Sequence, residues 1–189
     1  MRKIRKLILL GFCIMILPGT VIYAAAGSSE VSLYLNNVLQ KQPAIFSEGS
    51  ISLTTEQLSK DLFALFALDE SGKTVRIYKP NINMVMLDNN GEIFGKVKSP
   101  SRFAFSTLLQ VDHLKTEISD IKVVITDPAD KTETIDAQQI KNSEENFWFK
   151  TNEYTYSFTT KGTYTIQVFF KDVASKKWFP VSEIDIFGI

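Results

Sequence analysis

The chain has 189 residues, with 21 basic and 21 acidic side chains, one His and one Cys. This length fits one or two small domains, and the 44% apolar fraction argues against wholesale disorder. Zero net charge gives no indication of nucleic-acid binding. A single His and a single Cys exclude a Cys/His zinc cluster and an intrachain disulfide. We therefore expect no metal, no cofactor and no nucleic-acid partner.

The first 26 residues have the pattern of a secretory signal peptide. A basic stretch, Met1–Lys6, precedes an apolar run, Leu7–Leu17, and then Pro18-Gly19 and the small residues Ala24–Ala26 follow. This order predicts export by the general secretory route, with cleavage after Ala26 and a secreted or cell-surface location. The alternative is an uncleaved anchor, because about 20 residues just span a bilayer; the protein would then contact the membrane only through this segment.

Cleavage would change the charge balance. The signal segment holds four of the 21 basic residues, so the remainder carries 17 basic against 21 acidic side chains. The remainder also has no Cys. An exported chain without disulfides depends on its apolar core for stability, and mild acidity gives no attraction to polyanions.

Residues 27–80 predict a small αβ domain. Residues 31–39 alternate as two short strands around an Asn36-Asn37 turn. A capping box from Thr54 to Gln57 begins a helix, and a strand at residues 74–78 follows a polar turn. The helix is expected to bury one face, formed by Leu58, Leu62, Leu65 and Phe66.

This first segment resembles a known small domain. The residues that carry the resemblance are Val31–Asn37, Pro43–Ile45, Gly49, Leu53 with the following helix, and Leu68-Asp69 before Lys73–Ile77. They resemble the copper-amine-oxidase N-terminal-like domain of exported bacterial envelope proteins. The resemblance implies a ββαβ-type domain. It implies no copper chemistry, because the segment has no His, Cys or Met to bind copper.

Residues 81–189 predict an antiparallel β-sandwich. Several runs alternate apolar and polar residues and are separated by turns rich in Asp, Gly and Pro. The predicted strands are residues 82–86, 102–111, 121–126, 154–159, 164–170 and 181–187. The predicted turns are residues 88–92, 127–130 and 161–162.

A segment from Phe158 to Val168 resembles a late-strand signature of bacterial immunoglobulin-like domains. In that signature a turn glycine, here Gly162, precedes a strand whose first tyrosine, here Tyr164, forms a corner. The resemblance implies that the Tyr164 hydroxyl bonds the backbone while its ring fills the core. Together with the preceding segment, it implies a mainly β (α+β) protein with a small domain followed by an immunoglobulin-like β-sandwich.

The candidates for catalysis and calcium binding are weak. His113 is the only imidazole, and Asp112 would face the opposite side of a strand, so we expect His113 to be a polar edge residue. The acidic pairs lie in polar turns, where carboxyls keep ordinary pKa values. These pairs are Asp69-Glu70, Asp127 with Asp130, and Glu144-Glu145. The turn Asp88–Glu92 lacks the EF-hand order, which leaves calcium a minor possibility.

Aromatic residues are the most suggestive functional feature. Trp148 and Phe149 lie in one run with Phe147, and Trp178 and Phe179 in another. Neighbouring strand residues face opposite sides, so either Trp148 or its two neighbours are exposed. A Trp most often completes a core or a domain seam. An exposed ring is a platform for a sugar or a partner protein, and the candidate binding residues are Trp148, Phe149, Trp178 and Phe179.

The sequence therefore favours a secreted, non-enzymatic protein of a bacterial envelope or extracellular matrix. It would bind a wall polymer, a polysaccharide or a surface protein. One alternative is a small secreted hydrolase or its accessory subunit, which would need a buried carboxylate pair in a cleft. Another is a self-assembling surface protein that pairs through a sheet edge.

Overall fold

The protein is mainly β in the parts of the chain that the structure describes. The computed structural model describes residues 28–35, 38–68, 74–141 and 144–189. It divides into two compact units, Met1–Leu53 and Thr54–Ile189. The predicted signal peptide and the predicted turns at residues 36–37 and 69–73 lie outside the described residues.

The first unit is built of short strands. Strands β1, β4 and β5 form a three-stranded antiparallel sheet, and β2 pairs with β3. Glu48 and Gly49 both have positive φ, which is the geometry of a two-residue hairpin turn between β4 and β5. The bounds are β1 Ser29–Val31, β2 Tyr34–Leu35, β3 Val38–Leu39, β4 Ala44–Ser47 and β5 Ser50–Ser52.

The second unit opens with helix α1, Thr55–Leu62. The predicted capping box is confirmed: the Gln57 N–H donates to Thr54 Oγ1 at 3.2 Å, and the Thr54 N–H donates to Gln57 Oε1 at 2.8 Å. The helix ends at Phe63, which has left-handed φ and ψ. A hairpin follows, formed by β6, Leu65–Leu68, and β7, Val75–Tyr78.

The predicted apolar face of this helix is wrong in part. Leu65 and Phe66 are buried but belong to β6, and Leu62 is exposed. The physical reason is the early stop at Phe63. There the Ser59 hydroxyl donates to the Ala64 carbonyl at 2.8 Å and holds the chain as it leaves the helix.

The larger sheet has five strands in the order β12-β11-β15-β16-β9. Neighbours are antiparallel except β16 and β9, which are parallel. Its strands are β9 Lys96–Val97, β11 Ile118–Thr126, β12 Thr132–Gln139, β15 Gly162–Asp172 and β16 Trp178–Gly188.

The smaller sheet is centred on β10, Ser101–Asp112. Strand β8, Asn81–Asp88, pairs along one side of β10. On the other side, β14, Tyr154–Phe158, and β13, Phe147–Lys150, pair with successive halves of β10. Thr151 lies between these two strands, and its hydroxyl accepts the Thr107 N–H at 2.8 Å.

The two sheets enclose one apolar core. Inward residues of both sheets belong to the same cluster of buried side chains, and Phe158 of one sheet meets Tyr164 of the other with ring centroids 4.8 Å apart. Ala64, Leu65 and Phe66 extend this cluster. The second unit is therefore a two-sheet sandwich whose core also includes the start of the β6–β7 hairpin.

The division into compact units falls at a different position in the chain from the predicted domain boundary. Sequence pattern places the boundary after Pro80, whereas the structure divides between Leu53 and Thr54. The reason is that the residues after α1 share the sandwich core. Helix α1 and the β6–β7 hairpin thus belong to the larger unit.

The predicted tyrosine corner is confirmed. The Tyr164 hydroxyl donates to the Thr160 carbonyl at 2.8 Å and accepts the Thr160 N–H at 3.2 Å, while the ring is only 1% exposed. Gly162 has φ +141°, and a Cβ there would lie 2.9 Å from a Pro128 carbon. The corner therefore needs glycine at this turn.

Candidate functional site

Trp148 is the most exposed aromatic ring of the second unit. Its side chain is 66% exposed, whereas Phe149 is buried and Phe147 packs against the core. This alternation follows from β13 being an extended strand on the sandwich surface. The interpretation that placed Trp148 in the core or a seam is therefore wrong, and its counterpart, an exposed ring, is what the structure shows.

Two amide side chains share a row with Trp148. Gln110 of β10 is the cross-strand partner of both Trp148 and Asn83 of β8. Asn83 Nδ2 donates to Gln110 Oε1 at 3.3 Å. The sequence pattern did not predict these amides as site residues. The signal that was available is strand alternation, which places both amides at outward positions between residues that face inward.

Trp178 lies at a second, separate place, on the larger sheet. It is half-buried and pairs with Lys171 across β15 and β16. Two ammonium groups approach its ring: Lys122 Nζ lies 4.6 Å and Lys171 Nζ 5.7 Å from the ring centroid. These cation–π contacts hold the indole in place at the protein surface.

A groove of about 420 Å³ runs beside Trp178. Helix α1 contributes polar lining residues, including Glu56 and Lys60, and the turn before β16 contributes Lys177. The apolar part of the lining comes from Phe66, Val75, Trp178, Phe179 and Pro180. A largely apolar lining with a few polar groups is the usual form of a small binding groove.

Phe149 and Phe179 are not surface residues. Their exposed fractions are 7% and 8%, and both belong to the core cluster. Strand alternation explains this, because each follows an outward Trp by one position. Of the four predicted aromatic binding residues, Trp148 and Trp178 are therefore the surface rings, and Phe179 is a lining residue of the groove.

His113 and the pair Glu144-Glu145 lie in exposed positions, as predicted, whereas the pair Asp69-Glu70 lies outside the described residues. His113 is exposed at the end of β10, and its backbone N–H donates to Asn146 Oδ1 at 3.1 Å. Glu144 and Glu145 are exposed. The hydrogen bond from Lys115 lowers the pKa of the Glu145 carboxyl, which is the opposite of what a general acid needs near neutral pH.

The predicted turn at Asp88–Glu92 is confirmed. Asp88 Oδ1 accepts the backbone N–H groups of Asn90 at 2.9 Å and Glu92 at 2.8 Å. Gly91 has φ +82°. The carboxylate thus stabilises its own turn, which accounts for the run of oxygen-bearing residues without a bound ion.

The described ranges contain neither a metal-binding cluster nor a membrane-spanning helix. In those ranges no group of three or more His, Cys, Asp or Glu residues is placed to hold a metal ion. None of the helices found there is long and apolar enough to cross a membrane.

The fold defines the class, a mainly β protein with a two-sheet sandwich. No protein-family model and no curated protein matches the sequence. Among solved structures, the chain is similar to the CARDB domain of a Pyrococcus furiosus protein, solved in complex with di-metal ions. The identity is 10%, the TM-score is 0.32, and the match covers 59% of this chain and 90% of that chain. Similarity at this level indicates neither a family nor a function for this chain.

Proposed function

We propose that this protein is an exported, non-enzymatic binding module of a bacterial cell envelope or matrix. Its partner is a wall polymer, a polysaccharide or a surface protein. The observation that carries the proposal is the 66% exposure of Trp148 on a strand whose neighbouring residues face the core. A large rigid ring held in solvent loses little conformational entropy on binding and buries a large area.

The Trp178 groove supports the same proposal. The Trp178 ring is held by two lysines and lines a groove of about 420 Å³. The second unit thus presents one surface tryptophan on each of its two sheets. Two acidic residues considered for hydrolysis have structural partners: Asp127 accepts turn N–H groups, and Glu145 pairs with Lys115. These partners support binding over catalysis.

The module architecture is also part of the proposal. The corner made by Tyr164 and the antiparallel sheets support an immunoglobulin-like sandwich for the second unit. The order of short strands, capped helix and hairpin over residues 29–78 agrees with the likeness to the copper-amine-oxidase N-terminal-like domain, although the helix and hairpin pack with the sandwich core. Export rests on the signal pattern of residues 1–26.

Co-sedimentation tests this function. Residues 27–189 are mixed with purified bacterial cell wall and, separately, with extracellular polysaccharide, beside a Trp148→Ala, Trp178→Ala double variant. We expect the wild-type protein to sediment and the folded double variant to stay in solution. Phe187→Ala is the matched control, since Phe187 is 47% exposed but lies at neither aromatic surface.

A wild-type protein that sediments with neither polymer would remove the polymer-binding function. The second candidate, self-assembly, is favoured by the exposed apolar residues of the first unit, which include Tyr34, Leu39 and Ile51. Light scattering separates the two, because only a self-assembling chain increases in size with its own concentration.

A further inference from the structure

The outward face of the smaller sheet carries a row that crosses three strands. The row consists of Asn83 on β8, Gln110 on β10 and Trp148 on β13, which are in register. Neighbouring strands lie about 4.8 Å apart, so the row is about 10 Å long. This length is comparable with two linked hexose rings.

The two amides present hydrogen-bonding groups beside the ring. Asn83 Nδ2 donates to Gln110 Oε1, which orients both side chains. Within the described part of the chain, neither amide makes another side-chain hydrogen bond. The Gln110 NH₂ group and the Asn83 carbonyl oxygen therefore offer a donor and an acceptor next to Trp148.

The strand positions next to the row on the same face carry one positive and one negative charge. Lys150 and Asp112 lie two positions beyond Trp148 and Gln110 on the same face, and their charges are opposite. Lys150 is in register with Leu108 and Val85, which are both half-buried, whereas Asp112 lies on the other side of the row and is in register with Asn81. A polyanion would need several cations to replace its counterions, and this face supplies one lysine with an aspartate on the same face.

An exposed indole with adjacent amides on a neutral face fits a sugar polymer. A sugar ring has a C–H face that packs on an aromatic ring and hydroxyl groups that both donate and accept hydrogen bonds. A protein partner would favour a more apolar centre around the Trp.

We infer that Asn83, Gln110 and Trp148 form a subsite for a neutral polysaccharide chain. One sugar ring stacks on Trp148, and hydroxyl groups of the chain bond the Gln110 and Asn83 amides. This inference rests on the proposed binding function and specifies its ligand class and its residues.

Affinity gel electrophoresis tests the subsite. Residues 27–189 are run through native gels that contain hydroxyethylcellulose, dextran or mannan as neutral probes, or alginate as a polyanion. We expect at least one neutral polymer to retard the protein and alginate to have no effect. Trp148→Ala should weaken binding by about tenfold, and Gln110→Ala or Asn83→Ala by about threefold each.

Two variants serve as matched controls, and circular dichroism verifies that every variant is folded. Phe187→Ala removes an exposed ring on the other sheet, and Gln139→Ala removes an exposed amide on β12. Both should bind the neutral polymer as the wild type does.

The inference is overturned if no neutral polymer retards the protein, if alginate alone does, or if Trp148→Ala binds unchanged. Unchanged binding by a Gln110→Ala, Asn83→Ala double variant would also overturn it. Sedimentation with cell wall that is lost in Trp178→Ala alone would leave the proposed function standing and remove only this subsite. If Trp148 crosslinks to a wall protein and no neutral polymer binds, the ligand of this surface is a protein and not a polysaccharide.

Discussion

At the scale of single residues, three aspartates organise hairpin turns through their own carboxylates. Asp127 Oδ1 accepts the N–H groups of Ala129 and Lys131, as Asp88 does in its turn. Asp172 is 1% exposed, and its carboxylate accepts the Ser175 N–H and the Thr116 hydroxyl. Aspartates that look available for chemistry in the sequence are therefore used to satisfy backbone donors.

Tyr156 shows how burial changes the acid–base behaviour of one residue. Its ring packs edge-on against Phe158 and Tyr164 inside the core. Burial, with a smaller effect of Asp127 and Glu133, raises the pKa of Tyr156 to about 12. The neutral form is favoured because a phenolate would lose its hydration in the core.

This pKa predicts a specific loss of stability at alkaline pH. The folded pKa lies above the ordinary value, so the contribution is complete below about pH 10 and is lost as the pH rises toward 12. Over this window Tyr156 should lower the free energy of unfolding by at most about 1.4 kcal/mol per pH unit, because water screens the part of its hydroxyl that is exposed. Tyr156→Phe keeps the ring and should show a shallower decline in urea unfolding between pH 9.5 and 11.5. Equal slopes for the two proteins would contradict the prediction.

At the scale of elements, the ends of α1 decide how the chain enters the sandwich. The capping box at Thr54 satisfies backbone donors at the start of the helix. At the other end, Phe63 turns left-handed, and the chain becomes strand β6 within three residues. A helical spacing of apolar residues therefore continues in the sequence beyond the point where the helix stops.

The capping box gives an element-scale prediction. Thr54→Ala removes the hydroxyl that accepts the Gln57 N–H and should lower the free energy of unfolding by about 1 kcal/mol. Thr54→Ser keeps the acceptor and should unfold like the wild type. Thr55→Ala is the neighbouring control, because among the described residues the Thr55 hydroxyl donates its hydrogen bond to the exposed Glu56 carboxylate. Urea denaturation measures all three; equal losses for the changes to alanine at residues 54 and 55 would rule out a specific cap.

Strand β12 shows the limit of pattern-based prediction. Its sequence, Thr132–Gln139, is mostly polar, and Ile135 is its one buried residue. It is an edge strand of the larger sheet and pairs only with β11. Edge strands with polar side chains resist pairing with other chains. Because such strands have few apolar residues, a pattern of alternating apolar and polar residues does not predict them.

At the scale of the whole molecule, the larger compact unit begins at Thr54 and not after Pro80. Ala64, Leu65 and Phe66 belong to the same buried cluster as the inward faces of both sheets. Removing them would expose apolar surface on the sandwich. Burial of a Leu or Phe side chain contributes about 1.5–3 kcal/mol, so this extension is a substantial part of the unit's stability.

Two fragments test this boundary. Residues 54–189 should unfold in a single cooperative urea transition. Residues 81–189, the predicted sandwich domain, should lose several kcal/mol or unfold without cooperativity. Fluorescence of Trp148 and Trp178 follows both fragments, because both carry the two residues. Equal urea midpoints for the two fragments would contradict this expectation and place the domain boundary at residue 80.

Much of the fold follows from local pattern. The capping box, the turns at Asp88 and Asp127 and the corner at Tyr164 depend on interactions between residues close in sequence, so the sequence alone predicts them. The alternation around Trp148 also limits that residue to two orientations.

Other features depend on contacts between residues distant in sequence. Only the assembled sheets show that Trp148 is the exposed member of its run, because the side of β13 that faces the core depends on its pairing with β10. The same pairing brings Asn83, Gln110 and Trp148 into one row, although 65 positions separate the first from the last. The membership of α1 and β6 in the larger unit likewise comes from core packing. Strand register and the sharing of a core are long-range properties, and no local pattern in the chain encodes them.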